Sequence, residues 1–143
     1  MLIAAGVLLL FAVAATLFSR TTGIGRTEVA PVAVAFEVSL RFVDDAAGAV
    51  HVIRAADGAE IARFEPGTSG FGRGVVRGLV RDHRRAGLSA DATFQLVRWA
   101  DGRMSLGDPA TGERIELDVF GPTNAAVFAA ILKSAQSGRQ SAP

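Results

Sequence analysis

The chain has 143 residues, half of them apolar, with 16 glycines, 5 prolines and no cysteine. That length accommodates about one domain and excludes a multidomain machine, and the lack of cysteine excludes disulfides, thiolate metal sites and cysteine nucleophiles. The 15 basic and 14 acidic side chains nearly cancel, so a formal charge of +1 supplies no bulk attraction to nucleic acid.

No charged side chain precedes Arg20, and residues 2–18 read LIAAGVLLLFAVAATLF. As a helix this run is about 26 Å long, close to the roughly 30 Å of a hydrocarbon core, and snorkelling of Arg20 makes up the difference. The expectation is a transmembrane anchor over residues 1–19. A cleaved signal peptide is the competing interpretation, since Val13 and Ala15 fit a small-residue cleavage rule, but no Lys or Arg leads the run. A buried soluble helix would need a core larger than the remaining chain can build. Arg20 and Arg26 follow the span, so the positive-inside rule taken alone keeps the following domain in the cytoplasm.

Residues 20–31 mix Gly, Thr, Pro and charge without period and read as a tether. From Val32 the period becomes two: Val32, Val34, Phe36, Val38, Leu40 and Phe42 on one face, Glu37, Ser39 and Arg41 on the other. A turn over 44–48, a strand over 49–55, a type I′ hairpin at Asp57-Gly58 and a strand over 60–65 complete an antiparallel meander. Residues 71–86 predict a helix despite three glycines, with Phe71, Val75, Val76, Leu79, Val80 and His83 on one arc and Gly87 as its C-terminal stop. A second meander follows, with strands over 93–99, 103–106 and 113–120. Thr123 or Asn124 caps a last helix over 125–133.

The fold class expected is therefore α+β: one N-terminal transmembrane helix, then a small domain of antiparallel β-meanders with two helices. The single soluble domain spans 32–134, and 135–143 form a disordered tail. Each half of the domain is strands followed by a helix, but no string repeats, so duplication carries little weight.

Chemistry-bearing patterns are few. His51 lies inside a strand and His83 at the edge of a helical apolar arc, both read as structural. No HExxH, metal-spaced cluster, GxSxG or P-loop occurs, and Gly70 to Gly74 lacks the Lys-Ser/Thr of a phosphate loop. Glu116 and Asp118 share a strand face, best read as a solvated edge. Nothing points to catalysis, a metal, a cofactor, a small-molecule substrate or nucleic acid.

The basic helix stands out. Segment 71–88 holds Arg73, Arg77, Arg81, Arg84 and Arg85 against Asp82, net +4, while the segments on either side are net acidic. Arginines at i, i+4 and i+8 repel one another, which weakens the helix unless something compensates. A solvated face paired with Asp82, Glu65 or Asp91 is one account; contact with anionic lipid headgroups or acidic residues of a neighbouring protein is the other. Arg98 with Trp99, and the junction of Phe120, Pro122 and Asn124, are second candidates for a partner surface.

Three strings in order, Gly67 to Arg81 (GTSGFGRGVVRGLVR), Arg98 to Gly112 (RWADGRMSLGDPATG) and Phe120 to Ala125 (FGPTNA), resemble signature segments of the photosynthetic complex assembly protein PuhC family of purple bacteria. The resemblance implies an inner-membrane, single-pass protein with a periplasmic domain, one that assists assembly or reorganisation of the reaction centre and its core light-harvesting (LH1) antenna. Its partners would be those membrane proteins, and it resembles no enzyme family. Family members usually carry a short leader before the span, from which this sequence departs; the periplasmic placement follows the resemblance over the charge rule. The alternative within the same setting is a stoichiometric subunit of the mature complex, for which Ala4, Ala5, Ala12, Ala14 and Ala15 would permit close helix packing.

Overall fold

The computed structural model describes residues 32–89 and 91–140, so the anchor and tether expected over 1–31 lie outside the described residues. Among the described residues no helix is long and apolar enough to cross a membrane. The described residues form one compact unit.

Its strands are β1 (Val34–Asp44), β2 (Val50–Arg54), β3 (Glu60–Phe64), β4 (Phe94–Trp99), β5 (Met104–Gly107) and β6 (Arg114–Glu116), and its helices α1 (Gly70–Arg85) and α2 (Pro122–Gln140). All six strands join one antiparallel sheet in the order β3-β2-β1-β4-β5-β6. The two expected meanders are thus present, fused edge to edge by the pairing of β1 with β4, where Leu40 faces Phe94 and Val38 faces Leu96. The α+β class stands as a two-layer arrangement, with the apolar arcs of both helices packed on one face of the sheet.

Period-two alternation sends Val38 and Leu40 of β1, Val50 and Val52 of β2, Phe94 and Leu96 of β4 and Leu106 of β5 to that face, where all are buried. They meet Val76 and Leu79 of α1 and Phe128, Ile131 and Leu132 of α2. One departure is at the start of β1: the register shifts between Val34 and Phe36, so Val34 pairs with Trp99 and lies half exposed, on the opposite face from Phe36. A bulge at Ala35 breaks the alternation that placed Val32 and Val34 in the apolar row.

Other boundaries move for local reasons. The strand expected over 113–120 stops at Glu116, because Leu117 turns into the core and Asp118 accepts the Met104 N–H at 2.6 Å in place of a backbone carbonyl. Asp118–Phe120 is then a 3₁₀ turn, which separates Asp118 from the strand face it was expected to share with Glu116. The hairpin at Asp57-Gly58 is a four-residue loop instead of a type I′ turn, since only Gly58 takes a positive φ. α2 starts at Pro122, a first-turn position where a missing N–H is not felt, with no cap from Thr123; the Asn124 amide donates back to the Phe120 carbonyl at 2.9 Å. It continues to Gln140 instead of ending at Lys133, because Ala135 is fully buried, so the segment expected to be a tail adds a further turn to the core. α1 ends as expected: Gly87 has φ 75°, its N–H bonds the Arg84 carbonyl and the Leu88 N–H bonds that of His83, a Schellman closure.

The two halves repeat. The hydrogen bond from Asp45 N–H to Ala49 O returns from Trp99 to Arg103, and that from Arg54 to Ala59 returns from Asp108 to Glu113, each 54 positions further on. The left-handed glycines Gly48, Gly58 and Gly67 return with the same offset as Gly102, Gly112 and Gly121. Three strands and a helix occur twice, about an approximate two-fold axis at the β1–β4 seam.

Candidate functional site

α1 forms where it does because its apolar positions recur at helical spacing, and burying Gly72, Val76, Leu79 and His83 leaves the arginine positions outward. The five arginines then separate. Arg73 is half-buried, with its Nε enclosed and unpartnered. Arg77 pairs with Asp44 at 3.0 Å and Arg85 with Asp82 at 3.2 Å, both pairs solvent-exposed and therefore weak. Arg81 and Arg84 are exposed and make no hydrogen bond or ion pair among the described residues. Of the internal partners considered from sequence, Asp82 engages Arg85, whereas Glu65 pairs with Arg63.

Arg77, Arg81, Arg84 and Arg85 line one groove of about 780 Å³ between the C-terminal half of α1 and the sheet. Its floor is apolar: Phe42 at the end of β1, Val76 and Val80 of α1, Ala92, and Phe94 at the start of β4. Phe42 and Phe94 are in ring contact at 5.5 Å. Asp44 is the lone acidic residue of the lining, so the field in the groove is positive.

The other expected interaction residues lie elsewhere; none of Arg73, Arg98, Trp99, Phe120, Pro122 or Asn124 lines the groove. Arg98 and Trp99 are consecutive in a strand and so face opposite sides of the sheet. Arg98 is half-buried with an unpartnered Nε. The Trp99 indole N–H donates to Ser105 Oγ at 3.0 Å, and the Arg114 guanidinium lies 5.0 Å from its ring centroid. Phe120 is 46% exposed and packs on Phe71 at 5.1 Å, with Pro122 and Asn124 beside it at the head of α2.

Sequence reasoning found the arginines but missed the groove floor. Phe42 closes an alternating run and Phe94 opens another, and only the β1–β4 pairing brings them together. Two polar constellations were also missed. Asp45, Glu60, Arg63 and Glu65 surround His51 or one another on the exposed sheet face, with His51 Nδ1 at 2.8 Å from Glu60 and Nε2 at 3.3 Å from Asp45. The hydrogen bonds to Glu60 and then Asp45 hold the His51 pKa above its ordinary value. His83 and Asp108 form a buried pair that fulfils the structural role expected of His83. Among the described residues no three His, Asp or Glu are placed to hold a metal ion.

The family model of the photosynthetic complex reorganisation protein PuhC matches residues 35–136, which takes in almost all of the described sheet and both helices. The chain belongs to that family, in agreement with the resemblance carried by the three signature strings. No curated protein and no solved structure matches it.

Proposed function

We propose that the protein is a non-catalytic factor, anchored by its N-terminal apolar segment, that assists assembly or reorganisation of the photosynthetic reaction centre and its LH1 antenna. Its α+β domain lies on the periplasmic side of the inner membrane and docks on those membrane proteins through the arginine groove of α1. The family supports the photosynthetic setting. The single observation that carries the docking role is the alignment of Arg77, Arg81, Arg84 and Arg85 along one apolar-floored groove in a domain whose other charged side chains are predominantly acidic. Tethering raises the local concentration of the domain, so modest contacts of about 1 kcal/mol per arginine at an anionic surface suffice to orient it. The apolar run before Arg20 supports the anchor, and the absence of any nucleophile, base or metal pattern in the sequence supports a non-catalytic role.

The test is a triple reversal, Arg77→Glu, Arg81→Glu and Arg84→Glu, returned to a purple phototroph lacking the gene. Circular dichroism should report an intact fold while near-infrared absorption of the membranes reports reduced reaction-centre and LH1 complexes. Normal complexes with a folded triple variant would remove the groove from the function.

A further inference from the structure

The groove has two chemistries at two depths. Phe94 is buried and Phe42, Val80 and Ala92 are half-buried, so the apolar surface is recessed, whereas Arg77, Arg81 and Arg84 stand exposed above it. Their spacing of four and three residues places them on one side of α1 over about two turns, roughly 10 Å. A planar layer of lipid headgroups would reach the guanidinium tips and leave the floor wet. A single phosphate would need the cations to converge, and these are drawn out in a line. The shape asks instead for an occupant that inserts apolar side chains and carries carboxylates at a rise matching that of α1.

We propose that this groove binds an amphipathic, acidic-flanked helix of a partner protein, with its apolar side chains on Phe42, Val80 and Ala92 and its carboxylates on Arg77, Arg81 and Arg84. The assignment rests on the docking role proposed above and names its occupant. A helix laid in an apolar groove anchors at positions i, i+3, i+4 and i+7, the same periodicity that spaces the arginines. Guanidinium groups grip carboxylates with two parallel hydrogen bonds, and Arg81 and Arg84, exposed and without a partner among the described residues, are placed to do so. Arg77 exchanges its exposed partner Asp44 for an incoming carboxylate at little loss.

The experiment uses the full chain in phosphatidylcholine nanodiscs and a fluorescent 16-residue synthetic helix with leucines on one face and glutamates on both flanks. Anisotropy should report saturable binding, weakened about tenfold or more by Arg81→Glu with Arg84→Glu and restored in part by the double lysine variant. Ala92→Phe, which fills the floor and leaves every charge in place, should weaken it comparably. The exposed arginine pair keeps the test decisive if Ala92→Phe does not fold. No binding, equal binding of a peptide with its leucines replaced by serine, or binding to phosphatidylglycerol vesicles with none to the peptide would each overturn the proposal. In cells, normal photosynthetic complexes with a folded Ala92→Phe but not with the triple arginine reversal would sink the helix occupant and leave the docking role. Normal complexes with both would sink the docking role itself.

Discussion

His83 Nδ1 lies 2.7 Å from Asp108 Oδ2, with both side chains buried, and this contact ties the last turn of α1 to the loop between β5 and β6. The other ring nitrogen faces the Ser89 carbonyl at 3.0 Å, so each nitrogen of the ring has an oxygen within hydrogen-bond reach. Burial pushes the Asp108 carboxyl upward, but hydrogen bonds from His83, the Ala110 N–H and Thr111 outweigh it and hold the pKa below its ordinary value. Asp108 is the repeat counterpart of Arg54, which reaches the other helix in the same way and donates to the Ala135 carbonyl of α2 at 3.5 Å. Each half therefore braces the C-terminal part of the helix belonging to its opposite half.

Removing one partner of a buried pair leaves the other stranded, so Asp108→Ala should destabilise the domain by about 3 kcal/mol in urea unfolding. Because the native pKa of Asp108 is lowered, its contribution is present above the unfolded value of 3.8 and is lost as pH falls through the folded one. The wild-type unfolding midpoint should fall across that acid range more steeply than that of Asp108→Asn. Equal midpoints for Asp108→Ala and wild type would show the brace to be idle.

The His51 cluster titrates with the opposite sign. Its folded pKa is raised, so the stability it adds is fully present below the unfolded value of 6.5 and disappears as pH climbs through the folded value. The unfolding midpoint should drop above pH 6.5, and His51→Gln should flatten that drop. A variant profile parallel to wild type over this window would assign the pH dependence to other groups.

Three helix glycines of α1 make a contrasting set. A Cβ at Gly72 would sit 3.0 Å from the buried Phe64 ring, whereas one at Gly74 or Gly78 would meet nothing within 4 Å. Gly74→Ala and Gly78→Ala should each stabilise by about 1 kcal/mol through helix propensity. Gly72→Ala should reverse that sign, because overpacking against Phe64 costs about 1–3 kcal/mol. Thermal melts of the three variants separate the outcomes; stabilisation by Gly72→Ala would mean that α1 lies further from β3.

These residues mark the boundary of what the sequence makes legible. Local periodicity placed α1 to within a residue at each end and located all six strands, since alternation and turn chemistry are written in neighbouring residues. The seam between β1 and β4 is not local: Leu40 and Phe94 are each ordinary core positions, and nothing in either strand names its partner. The groove inherits the same limit, with its arginine side readable from helical spacing and its floor assembled by that seam. The end of α2 was missed because Ala135 and Gly138 are too small to register as an apolar face, although Ala135 is fully buried and an alanine methyl at Gly138 would collide with the Arg54 guanidinium. The duplication was faintly present. Gly48, Val50, Val52, Gly58 and Ile61 align at the 54-residue offset with Gly102, Met104, Leu106, Gly112 and Ile115, a pattern of residue classes rather than of letters.

The same offset yields a test of the repeat. Gly58 and Gly112 occupy equivalent places in their hairpins, with φ of 73° and 78°, and a Cβ at either would meet nothing within 4 Å. Replacing either by alanine therefore costs only the left-handed backbone conformation, about 1–2 kcal/mol, with no packing contribution to tell them apart. Gly58→Ala and Gly112→Ala should lower the urea midpoint by the same amount within error, and the double variant should lose the sum, since the two loops share no partner. A clear inequality would mean that one hairpin relaxes into a different turn, and that the two halves share a topology without sharing its local geometry.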